Sequence, residues 1–294
     1  MLYRSLLIYC ALIILFVSCN KEDSDTDRIR EKSGIINFEA GPDFQNKVIP
    51  IHYFVPEGGP KGKDVQIVLH GADRNANDYL AGWAHKARIY NVIVLAPEFS
   101  AADFNTAQFN EGNYIVSGQI NDADKTTFSL IDRIFDQLIL DLEAEATTYN
   151  IYGHSAGAQF VHRYLQFYNS TKVDKAVAAN AGWYTFPNEA VSFPYGIRNL
   201  FQDESGHRSN YYQKNLTVLL GAADTIRDNN LRVTQQADQQ GRHRFERGNN
   251  FFEYNSDLSI QNNFPFNWNR FHVEGIGHQH RDMSAAAADI LYGN

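Results

Sequence analysis

Strand-like and helix-like patterns alternate along this chain and predict an α/β fold, with a mostly parallel central sheet covered by helices on both faces. Three observations lead there. Short, mostly apolar runs recur, as in strands buried from both sides. Amphipathic stretches at helical spacing separate them. The order strand, helix, strand, helix is the one that parallel crossovers build. With 44% of 294 residues hydrophobic, 20% charged and a net charge of −8, the chain has the means for a core and is no disordered tail.

The first segment is set apart from this pattern. Leu6 to Val17 is the one long apolar run, with Arg4 before it and Ser18, Cys19 and Asn20 after it. A positive start, a short apolar stretch and small residues at its end predict an export signal over residues 1–18. The run is too short to span a bilayer comfortably, which takes about 20 apolar residues. Phe16-Val17-Ser18-Cys19 resembles the lipobox of bacterial lipoproteins, which implies lipid on Cys19 as the only membrane attachment. Asn20-Lys21-Glu22-Asp23 resembles the acidic tag that sends some lipoproteins to the outer face of the outer membrane. Cys10 and Cys19 are the only cysteines, so an exported domain has no disulfide. Residues 19–33 are expected to be a polar tether and 34–294 a single domain.

Within that domain, Lys47 to Val55 alternates and predicts a half-exposed strand. Val65 to Leu69, Val92 to Ala96, Ile151 to Tyr152, Val173 to Ala179 and Leu216 to Leu220 predict buried strands. Leu80, Trp83, Ala84 and Ala87 predict a helix after an Asn77/Asp78 cap. Phe128, Ile131, Phe135, Leu138 and Leu142 predict another after Thr126/Thr127, and Gln159 to Phe167 a third. The Asn-rich stretch from Asn249 to Asn269 is expected to be a folded surface loop. Arg270 to Val273 reads as a last strand, and His280 opens a last helix. Ligands of parallel sheets bind beyond the carboxyl ends of the strands, so the residues just after each strand are the functional candidates.

After Asn150-Ile151-Tyr152 comes Gly153-His154-Ser155-Ala156-Gly157, a G-x-S-x-G run between strand and helix. A serine there sits on a tight, strained turn, and the two glycines remove side chains that would clash as the chain doubles back. A serine hydroxyl needs a base, and the base needs a carboxylate to orient it. Asp224, just past the strand Leu216 to Leu220, is the candidate acid, with Asp228 as the alternative further from the strand end. His278, in a glycine-flexed turn, is the candidate base, with His272 and His280 as rivals. Three histidines specify no metal geometry without a Cys or close acid, so no metal is expected.

At these residues the chain resembles the α/β-hydrolase superfamily over residues 35 to 292. The resemblance implies the order serine, acid, histidine, and a base in a Gly-His turn after the last strand, which selects His278. It also implies an oxyanion hole from two backbone N–H groups. One is Ala156, after the nucleophile. The other comes from His70-Gly71-Ala72-Asp73-Arg74, where Ala72 is expected and Asp73 is next. His70 is expected to be structural, and Asp73 and Arg74 to pair. Trp183 and Tyr184 follow the strand Val173 to Ala179 and are candidates for walling a substrate pocket, or else core aromatics. The long connections Glu98 to Lys125 and Phe186 to Gln213 are where substrate choice is expected to be built.

His70 to Ala76, Pro97-Glu98-Phe99, Asn180-Ala181-Gly182-Trp183-Tyr184 and Gln240 to Gly248 resemble a branch of secreted poly(3-hydroxybutyrate)-depolymerase-like and feruloyl- or acetyl-esterase-like proteins. That implies a serine esterase acting on a short-acyl or aromatic ester, small or polymer-borne, without a cofactor and as a monomer. A serine peptidase using the same residues, and a surface glycan-binding protein on a hydrolase fold, are the alternatives. Nucleic acid is excluded as a partner by the acidic balance and the lack of a basic stripe.

Overall fold

The computed structural model describes residues 29–293. The expected signal over 1–18, Cys19 and the tether up to residue 28 lie outside the described residues. The chain enters with β1 (Lys32–Glu39), which pairs antiparallel with β2 (Val48–Val55). Then follow β3 (Val65–Leu69), α1 (Ala76–Tyr90), β4 (Ile93–Pro97), α2 (Thr106–Phe109) and a small hairpin of β5 (Ile115–Val116) and β6 (Gln119–Ile120). The middle of the chain is α3 (Ser129–Asp141), β7 (Tyr149–His154), α4 (Ala156–Phe167), β8 (Val173–Ala179) and α5 (Glu204–Tyr212). It closes with β9 (Asn215–Gly221), α6 (Gln235–Asp238), α7 (Arg244–Asn262), β10 (Asn269–Val273) and α8 (His280–Tyr292).

Eight strands form one sheet in the order β1-β2-β4-β3-β7-β8-β9-β10, antiparallel at β1/β2 and β2/β4 and parallel elsewhere. Every residue of β3, β4 and β7 is buried, including the polar Gln66, Asn150 and His154. One face of the sheet packs Phe135 of α3, Phe160 of α4 and Phe251 of α7; the other packs Trp83 of α1 with Met283 and Leu291 of α8. Register brings the carboxyl ends level: Leu69 pairs Gly153, His154 pairs Ala179, and Ala179 pairs Leu219. The loops after β3, β7, β8 and β9 therefore emerge side by side.

Three expectations are corrected. The stretch from Asn249 is no loop but most of the 19-residue α7, with only the residues beyond Asn262 outside it. Phe251, Asn255 and Ser259 make its buried stripe, and the Asn255 amide donates back to the Phe251 carbonyl at 2.7 Å, so a polar residue is accommodated on the core face. Helix α1 begins at Ala76 with Asn75 as its cap, earlier than the Asn77/Asp78 pair. Strand β1 begins at Lys32, inside the stretch expected to be tether, because Ile36 and Phe38 turn inward against the sheet.

Candidate active site

Ser155 stands between β7 and α4 with φ 56° and ψ −112°, a left-handed conformation that a serine adopts only under constraint. The flanking glycines explain how it is reached. A Cβ on Gly153 would lie 2.2 Å from the Gly157 carbonyl oxygen, and one on Gly157 would lie 2.4 Å from that of Leu69. Strand and helix therefore approach more closely than any side chain allows. The Ser155 N–H donates to the Ala179 carbonyl at 2.9 Å, which ties the turn to β8.

His278 lies in the turn between β10 and α8, and its Nδ1 donates to Asp224 Oδ2 at 2.7 Å. Asp224 is 3% exposed. The two turns are stitched together by the Ala223 N–H on the Ile276 carbonyl at 2.8 Å. Asn180, quoted in the sequence only as part of a run and given no role there, completes the stitching: its amide donates to the Gly277 carbonyl and its oxygen accepts from the Gly221 N–H, both at 2.8 Å. Its signal was an Asn directly after a buried strand. The rivals are occupied elsewhere. His272 donates to Asn249, His280 donates to Asp78 and stacks on Tyr79, and Asp228 forms a two-pronged ion pair with Arg244.

His154, before the serine, lies with its ring 4.6 Å from that of His278 and shares a 2.8 Å hydrogen bond with the Tyr79 hydroxyl. Burial, and then the neighbouring His278, His280 and Arg244, hold its ring well below the usual histidine range, so it stays neutral.

Ala156 heads α4, where the first N–H has no place in the helical ladder. The Ala72 N–H has no backbone partner among the described residues. Both alanines border the serine's cavity. His70 is buried and structural, accepting from the Phe99 N–H and donating to the Gly71 carbonyl, both at 3.0 Å, and burial drives its pKa down to about 3. Arg74 does not pair with Asp73. It donates to the Phe99 carbonyl at 2.7 Å and lies over the Phe109 ring, because the loop turns it inward; desolvation lowers its pKa to about 10.

Ser155 and His278 line one small cavity of about 110 Å³ with Gly71, Ala72, Tyr79 and Asn230. Beside it opens a cleft of about 440 Å³ lined by Ser155, Asn110, Gln159, Trp183 and Arg232. Two cations lie against Trp183, the Arg163 guanidinium 4.0 Å and the Arg232 guanidinium 4.6 Å from its ring centroid. Tyr184, a candidate for the pocket or for the core, is buried in the core and stacks on Phe251 at 4.3 Å. The cleft wall from Asn229 to Arg232 was not foreseen, and nothing in its sequence marks it. A strained serine sharing a cavity with a carboxylate-held histidine and two free N–H groups is the set of parts that acyl transfer uses.

No protein-family model matches this sequence, and no curated protein does. Solved structures do match. Poly(aspartic acid) hydrolase-1 from Sphingomonas sp. KT-1 is 35% identical with a TM-score of 0.82, over 90% of this chain and 99% of its own. A poly(3-hydroxybutyrate) depolymerase from Bordetella parapertussis is 28% identical with a TM-score of 0.84, over 90% of each chain. An S-formylglutathione hydrolase from Staphylococcus aureus, 14% identical over 89% of this chain and 98% of its own with a TM-score of 0.55, shares the fold. Similarity at that identity and coverage makes this chain a hydrolase of the α/β-hydrolase family to which poly(aspartic acid) hydrolase-1 belongs.

Proposed function

We propose that the protein is an exported serine hydrolase that cleaves carboxylic esters through an acyl-enzyme, with Ser155 as nucleophile, His278 as base and Asp224 as its orienting acid. The observation that supports this most is the 2.7 Å bond from His278 to a buried Asp224, on the rim of the cavity that the strained Ser155 enters. In this reading His278 Nε2 takes the Ser155 proton as Oγ attacks the ester carbonyl. The Ala156 and Ala72 N–H groups hold the negative oxygen. His278 then protonates the departing alcohol, and water, activated by the same imidazole, releases the acid. The acyl or alcohol part lies along Trp183 in the larger cleft, which is open enough for a polymer-borne, short-acyl or aromatic ester. Lipid on Cys19 would hold the domain at the outer membrane.

The test is hydrolysis of p-nitrophenyl esters from acetate to decanoate. Ser155→Ala and His278→Ala should each cost at least about three orders of magnitude in kcat, with the double variant little worse than either. Mild, additive losses would refute the reading. Amide cleavage is a second reading with its own support. Poly(aspartic acid), for which one similar structure is named, is amide-linked and anionic. Arg232 at the cleft is paired with Glu111 only at 3.8 Å, leaving it able to meet a carboxylate. Running an anionic amide polymer beside the esters separates the two.

A further inference from the structure

The run Gln240 to Gly248 contributes no residue to the cavity of Ser155 and His278. The structure sets its Arg244 directly behind Asp224. Arg244 is the first residue of α7 and its side chain is 1% exposed. Its Nη1 is 3.6 Å from Asp224 Oδ1, the carboxylate oxygen that His278 does not use. Both terminal nitrogens donate to Asp228, each at 2.8 Å. The Phe245 N–H donates to the Asp224 carbonyl at 3.2 Å, so the helix is docked on the same turn. A buried row thus runs imidazole, carboxylate, guanidinium, carboxylate, and its last member reaches solvent with a side chain 40% exposed.

We propose that Arg244 and Asp228 are positioning residues for proton transfer, a charge-balanced pair that holds the Asp224 carboxylate against His278 and sets the pH at which His278 acts as a base. This rests on the serine-hydrolase reading. Without Arg244, Asp224 would be a nearly dry carboxylate with a single partner. Without Asp228, Arg244 would be a buried cation that competes with His278 for Asp224. Together the two charges largely cancel at the imidazole, and removing either one exposes the other. The other charged or titratable groups around His278 are His154 on β7 with Tyr79 of α1 behind it, His280 on α8, and Asp73 across the cavity.

Opposite signs make the idea testable. The rate of labelling by a fluorophosphonate is measured against pH for the wild type, Arg244→Met, Asp228→Asn and the double variant. Loss of the cation favours imidazolium, so Arg244→Met moves the acidic limb up by about half to one pH unit, and Asp228→Asn moves it down by a similar amount. The double variant returns close to the wild type. A purely structural role would lower the melting temperature and leave the limbs in place, and that result, or movement of both single variants in one direction, overturns the proposal. Should Arg244→Met fail to fold, Asp228→Asn, at a partly exposed carboxylate, decides alone: an unmoved limb refutes. A wild type that does not label refutes the serine-hydrolase reading instead, and NMR titration of the His278 ring then makes the same comparison without activity.

Discussion

Replacing Gly157 by alanine should damage the site through one methyl group. The new Cβ would sit 2.4 Å from the Leu69 carbonyl oxygen and 2.8 Å from that of His70. Ordinary contact needs roughly 3.5 Å, so something must retreat by about 1 Å. Two segments are available, the first turn of α4 carrying the Ala156 N–H and the end of β3 leading to Ala72, and either retreat separates the two donors. A misplacement of about 1 Å costs about 10²-fold in rate, comparable to loss of one oxyanion donor. For stability two effects oppose. Overpacking costs about 1–3 kcal/mol, and alanine in a helix returns at most about 1 kcal/mol. Against unyielding backbone the first prevails, and the melting temperature falls by about 2–4 °C per kcal/mol. Fluorophosphonate labelling and calorimetry read both. Gly82→Ala on α1, whose Cβ would meet nothing nearer than 3.6 Å, is the control and should be stabilising with an unchanged rate. Wild-type labelling by Gly157→Ala would refute the link between this close approach and the oxyanion donors.

Other outcomes follow from the same geometry. His70, His154 and His162 are buried with ring pKa values depressed chiefly by desolvation, so the unfolded chain takes up protons below about 6.5 that the fold refuses. Stability is therefore full above that pH and lost as pH falls below it, for His70 down to its folded value of about 3, each ring contributing about 1.4 kcal/mol per pH unit; a melting temperature flat between pH 7 and 5 would contradict this. Tyr79→Phe removes the one partner of His154, whose Nε2 has none, and should cost about 1–3 kcal/mol by denaturant unfolding; an unchanged midpoint would show the bond to be incidental. Trp183→Ala should raise the ratio of long- to short-acyl ester turnover by at least about 10-fold, while Trp183→Phe leaves it near the wild type; equal ratios would place the acyl group elsewhere.

Much of this was legible because parallel strands and a nucleophile turn write themselves locally. Val173 to Ala179 matches β8 residue for residue, and Gly153 and Gly157 are needed for contacts within a few residues or one strand away. What was not legible depends on distant partners. The stretch from Asn249 reads as loop by composition, yet the Asn255 amide and the Ser259 hydroxyl donate to the helix's own carbonyls, which composition does not reveal. Asp73 and Arg74 looked like a pair, but the Phe99 carbonyl and the Phe109 ring, both brought by the connection after β4, offer Arg74 a better place. Trp183 and Tyr184 are adjacent and similar, and only the packing of α7 decides which one the core takes.

The two guanidiniums against Trp183 make the cleft optically addressable. All three tryptophans are buried, Trp83 beside Tyr152 and Trp268 beside Tyr211, but Trp183 borders the cleft next to Ser155. Indole emission responds to charges beside the ring, and Arg232 is the guanidinium nearer solvent. A molecule that displaces or pairs with that guanidinium changes the fluorescence of one side chain against a constant background. Occupancy can then be followed with intact polymers, chromophore-free, in a Ser155→Ala protein that turns nothing over.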